Sequence, residues 1–110
     1  MSEVFHLERQ LEEYKKVVER RDLAKKLYNN REFKKIILDD FCITECARYA
    51  QSSGDPSLTT EQRADALAMA QAAGHLRRYL SVTVQMGNSV EGQIADLEQA
   101  ILEARQEEGE

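Results

Sequence analysis

From Ala66 to Ala104 the seam residues recur at alternating spacings of three and four: Ala66, Met69, Ala73, Leu76, Leu80, Thr83, Gly87, Val90, Ile94, Leu97, Ile101 and Ala104. Ten of these twelve are apolar, and the alternation averages about 3.5 residues, the period that keeps one seam of a helix against a partner helix. A chain with this line is committed to helix over more than a third of its length. It is also committed to helix-on-helix association there.

Composition narrows the class further. The chain has 110 residues, one proline and no tryptophan, with 42% hydrophobic and 32% charged residues, which suits a single domain of long helices better than a β-sandwich or a disordered segment. Helices of this kind bury only a modest core without neighbours, and oligomerisation would supply them. No apolar run approaches 18 residues and no basic-then-apolar leader is present, so neither a membrane span nor a secretory signal is expected. A cytoplasmic setting follows as the expectation.

The boundaries read as a hairpin or bundle, all-α, forming a single helical domain over residues 1–110. Ser2 can cap a first helix over 2–28, whose stripe is Val4, Leu7, Leu11, Tyr14 and Val18 at the same three-four spacing. Arg21 and Lys25 stand at the next two positions of that register, which reads as the end of the thin seam. Leu23, Ala24, Leu27 and Tyr28 continue an apolar face in a shifted phase.

Asn29 and Asn30 interrupt that helix and can cap the next segment, 31–51, which is either one bent helix or two short ones around an Asp39–Asp40 corner. Phe33, Ile36, Ile37 and Phe41 form one apolar face there, and Ile43, Cys46, Ala47 and Ala50 a second. Gln51 to Leu58, with Gly54 and Pro56, is a loop. Thr59 or Thr60 can cap a long last helix over 60–105, with Gln62 three residues after Thr59 as in a capping box, and an acidic tail, 106–110, follows.

The last helix divides by the width of its apolar face. Up to Met86 the flanks Ala70, Ala72, Tyr79, Val84 and Met86 are apolar or small, which predicts a broad face buried within the protomer. Beyond Gly87 only the narrow line Val90, Ile94, Leu97 and Ile101 remains, the pattern of a pairing helix. Gly87 costs a helix roughly 1 kcal/mol against alanine, yet the register passes through it unshifted. Asn88 with Glu91 could cap a fresh helix there, but a continuous or gently kinked helix that uses Gly87 for close approach is the expectation, and if unbroken residues 61–105 would span about 67 Å at ~1.5 Å per residue.

Charge is unevenly spread. Residues 1–35 carry ten Lys or Arg against seven Asp or Glu, while residues 36–110 carry five against thirteen. The basic residues interleave with Glu8, Glu12, Glu13, Glu19 and Asp22 and lack an aromatic platform, so nucleic acid is a poor fit as a partner. Cys42 and Cys46 lie a helical turn apart, but His6 and His75 are remote in sequence, and the cysteines read as small buried hydrophobes with reduced thiols. Asp39 with Asp40 lacks a base at suitable spacing, and Gly54, Gly87 and Gly92 lack the lysine and hydroxyl of a phosphate loop. No catalytic, cofactor or metal residues are assigned, and the chain reads as a non-enzyme.

The segments REFKKIILDDFCITECARYA at 31–50, GHLRRYL at 74–80 and VQMG at 84–87 resemble a group of small coiled-coil-containing helical proteins of tailed bacteriophages. In that pattern a phenylalanine-lysine-isoleucine segment ends in an aspartate-glycine corner, where this chain has Asp40 in place of glycine. The resemblance implies a virion structural or assembly protein, present in the host cytoplasm during assembly and in the virion. Its partners would be itself, as a homo-oligomer, and other virion proteins, met through Val4, Leu7, Leu11, Tyr14, Val18, Val90, Ile94, Leu97 and Ile101. An alternative reading is a small acidic phage inhibitor or adaptor that binds a host protein.

Overall fold

Each helix that follows a break in the chain begins where a side chain can satisfy its first free amides. The computed structural model describes residues 2–109, and α1 spans Glu3–Asn29, with Ser2 Oγ accepting from the Phe5 N–H at 3.2 Å. Asn30 leaves the helix with extended backbone and its Oδ1 accepts from the Phe33 N–H at 2.7 Å. From Arg31 the chain is helical without a break through α2 (Arg31–Phe33), a π-helical segment (Lys34–Glu45) and α3 (Cys46–Ser53). Thr59 and Gln62 then exchange bonds, the Gln62 N–H to Thr59 Oγ1 at 3.1 Å and the Thr59 N–H to Gln62 Oε1 at 3.0 Å. That reciprocal box starts α4, Thr60–Gly109.

No strand occurs among the described residues, and the fold is an all-α helical hairpin with long first and last helices. The helix α4 passes through Gly87 without interruption. The expected corner at Asp39–Asp40 does not form, because both residues lie inside the π-helical segment. Lys35 Nζ donates to Asp40 Oδ1 at 3.0 Å; residues five apart face away from each other on an α-helix, whereas a turn closed by i to i+5 bonds brings them together. Two lines at four-residue steps turn inward there: Phe33, Ile37, Phe41 and Glu45, all half-buried, and Leu38, Cys42 and Cys46, of which Cys42 is buried.

The chain forms two compact units, Met1–Lys25 with Val82–Glu110, and Lys26–Ser81. In the first, α1 and the second half of α4 run antiparallel: Glu8 pairs with Arg105, Tyr14 Oη donates to Gln93 Oε1 at 3.1 Å, and Arg21 Nη1 reaches Glu91 Oε2 at 2.6 Å. Its buried residues are Arg21, Ala24, Gly87, Leu97, Ile101 and Ala104. The seam of α1 therefore does not end at Val18. It continues through Arg21, whose Cβ lies 2.1 Å from where a Gly87 Cβ would stand. Ala24 follows as buried, while Leu23 and Leu27 of the shifted phase stay exposed.

In the second unit, α3 and the π-helical segment lie on α4 through small residues. Cys42 Sγ approaches the Ala73 carbonyl at 3.9 Å and Cys46 Sγ the Ala70 carbonyl at 3.6 Å. The buried apolar residues of this unit are Cys42, Ala66, Ala73 and Leu80.

Gly74, Gly87 and Gly92 of α4 separate helix propensity from packing. Gly74→Ala and Gly92→Ala meet no atom within 4 Å, so each is expected to raise stability by about 0.5–1 kcal/mol. Gly87→Ala gains the same propensity but forces α1 and α4 apart at about 1–3 kcal/mol, and is expected to lower stability. Chemical denaturation of the three single variants checks the opposite signs.

Candidate protein-docking surface

The residues expected to meet a partner meet each other first. Val4, Leu7, Leu11, Tyr14 and Val18 of α1 are half-buried, as are Val90 and Ile94 of α4, while Leu97 and Ile101 are buried. Leu11 and Ile101 line one open groove together with Glu8, Lys15, Glu98 and Arg105. Tyr14 and Leu97 line another, and Val18 with Ile94 a third. The two thin lines thus form one seam inside a single chain.

Charges along one rim of this seam match its direction. Glu8 faces Arg105 in an ion pair, and Lys15 shares a groove with Glu98. One step further, Asp22 and Glu91 bring like charges to the same rim, and Arg21 joins them: Nε donates to Asp22 Oδ1 at 2.8 Å and Nη1 donates to Glu91 Oε2 at 2.6 Å and to Asn88 Oδ1 at 2.7 Å. Only 5% of Arg21 is exposed, because the absent side chain at Gly87 makes room for its stem. Hydrogen bonds to Glu91 and then Asp22 push the guanidinium further above its ordinary range. The same bond from Arg21 holds the Glu91 carboxyl below its usual range.

The thiols are covered, not presented. Cys42 is buried and Cys46 half-buried, both free, and burial pushes the Cys42 thiol up although Arg77 opposes it. A protonated thiol is a poor nucleophile and a poor metal ligand. Asp55, by contrast, sits in the turn before α4, where bonds from the Ser57 N–H and hydroxyl hold its carboxyl low. Among the described residues no three His, Cys, Asp or Glu side chains gather in a metal-holding arrangement. No helix of the structure is long and apolar enough to cross a membrane.

Open apolar surface also lies outside the nine residues expected to meet a partner. The broad face predicted to be buried within the protomer is open at Ala72, Tyr79 and Met86, the last two 61% and 52% exposed, and half-buried at Ala70 and Val84. The second short apolar face also points outward: Ile43 is 57% exposed, and Ala47 and Ala50 are exposed. Cys46 alone of that group turns inward, because the wider helical turn through Lys34–Glu45 shifts the phase in which the earlier residues reach α4.

Comparison with known protein families, with curated proteins and with solved structures found no match. The docking surface is therefore defined by its own residues.

The Arg21 cluster makes a pH-dependent contribution with a definite sign. A carboxylate whose folded pKa is depressed stabilises the fold above the ordinary glutamate value of about 4.3 and loses that contribution as pH falls below it. Thermal midpoints of the native chain should drop between pH 5 and pH 3, and Arg21→Met should lower the midpoint at pH 7 while making that drop shallower. Equal slopes in both proteins would contradict the role of Arg21. For the thiols, alkylation at mildly alkaline pH should modify Cys46 before Cys42, a ranking that peptide mass mapping resolves.

Proposed function

We propose that this chain is a non-enzymatic structural or assembly protein of a tailed phage, which acts by docking an open helical face onto another protein. The observation that supports the docking is the imbalance in residues 26–81: Leu80 is the one large aliphatic side chain buried there, while Leu27, Ile36, Ile43, Leu67, Met69 and Tyr79 are each at least 40% exposed. Apolar groups in that proportion favour removal from water by a partner. The seam formed by Val4 to Val18 with Val90 to Ile101 serves as the internal brace of its own unit.

The phage setting rests on the resemblance of residues 31–50, 74–80 and 84–87 to small helical virion-gene proteins. Partners on this reading are virion proteins or further copies of the chain, and the site of action is the assembling particle. Ile43→Glu together with Tyr79→Glu should leave helix content unchanged and remove the protein from purified particles or from assembly intermediates. Native protein absent from both, and instead captured at low salt by one host protein and released at high salt, would contradict the assembly reading.

A further inference from the structure

One line on α4 carries information about what covers it. Met69, Ala72, Leu76 and Tyr79 follow one another at steps of three, four and three, a line that fits a helix-shaped occupant. Met69, Ala72 and Tyr79 are exposed and Leu76 is half-buried. Read in reverse about Gly74, the line fits itself: the small Ala72 falls opposite the large Leu76 of an antiparallel copy, and Met69 falls opposite Tyr79. Large against small across facing helices is the arrangement that fills space without strain.

The distribution of charge favours the same occupant. Residues 26–81 carry eight Lys or Arg against seven Asp or Glu, whereas the other unit carries seven against thirteen. Two copies meet far less like charge through the near-neutral unit than through the acidic one. Between Ala66 and Gln85 the charged residues of α4 are Arg77 and Arg78, with no carboxylate, and neither arginine lies on the line. A strongly acidic or basic partner would find no matching charge on the line itself.

We infer that Met69, Ala72, Leu76 and Tyr79 form a two-fold, antiparallel contact with a second copy of this chain. The inference rests on the docking reading above and narrows it to one occupant. Two-fold contact makes the surface isologous, so each substitution acts twice.

Sedimentation of the full chain over a range of micromolar concentrations tests this directly. The expected result is a reversible shift to the mass of two chains, abolished by Tyr79→Glu and weakened by Ala72→Glu, with circular dichroism unchanged. Leu102→Glu, at an exposed position of the acidic unit, should leave dimerisation intact. Gly74→Cys, where an added side chain meets nothing within 4 Å of its own chain, should cross-link two chains through residue 74 under mild oxidation, as a residue next to a two-fold axis does. A chain that stays monomeric overturns the inference, as does a dimer broken by Ile43→Glu but not by Tyr79→Glu. A monomer that still enters particles through this surface would overturn the self-contact alone and leave the docking reading standing.

Discussion

The approach of Arg21 to Gly87 governs how the two long helices meet. Heptad seams can slide by a whole repeat, because apolar side chains at equivalent positions are interchangeable in chemistry. An arginine on one seam and a missing side chain on the other are not interchangeable. The stem of Arg21 fits only where α4 presents no Cβ, and its guanidinium is satisfied only where Asp22, Asn88 and Glu91 converge. A shifted register would strip the buried guanidinium of Asn88 and Glu91 and leave it Asp22 alone, an outcome that the burial of charge makes costly. The pairing of Glu8 with Arg105 and of Tyr14 with Gln93 follows from the register so fixed.

Because this seam is satisfied within the chain, the apolar surplus falls on the second unit. There α3 and the π-helical segment rest on α4 through Cys42, Cys46, Ala70 and Ala73. Small residues permit close contact but cover little area, and the larger side chains to either side stay in water. The internal brace and the open face are two consequences of one distribution of side-chain size. Large residues and an arginine fill the first seam, while alanines and cysteines fill the second.

Much of this was legible from residue pattern. The caps at Ser2, Asn30 and Thr59, the seam from Ala66 to Ala104 and the passage of α4 through Gly87 all follow from local chemistry, which acts over three or four residues whatever the tertiary context. Three features were not. Arg21 reads as the end of a stripe because arginine is rarely buried; the signal that it continues the seam is Gly87, which lies 66 residues away and is visible only once the two seams are set antiparallel. Asp39–Asp40 reads as a corner because paired aspartates favour turns, but the π-helical segment places Asp40 beside Lys35 instead. The flanks of α4 read as interior because periodicity reports which residues share a face, and not whether the chain has enough material to cover it.

The central claim is that α1 and the second half of α4 pair within one chain, with Arg21 seated on Gly87. Nuclear Overhauser contacts between the Gly87 α-protons and the Arg21 β- and γ-protons measure that seating directly. A sample mixed from labelled and unlabelled chains separates contacts within a chain from those between chains. The account predicts strong contacts that persist when only intrachain transfer is selected. Contacts that are absent, or that survive only between chains, would contradict it.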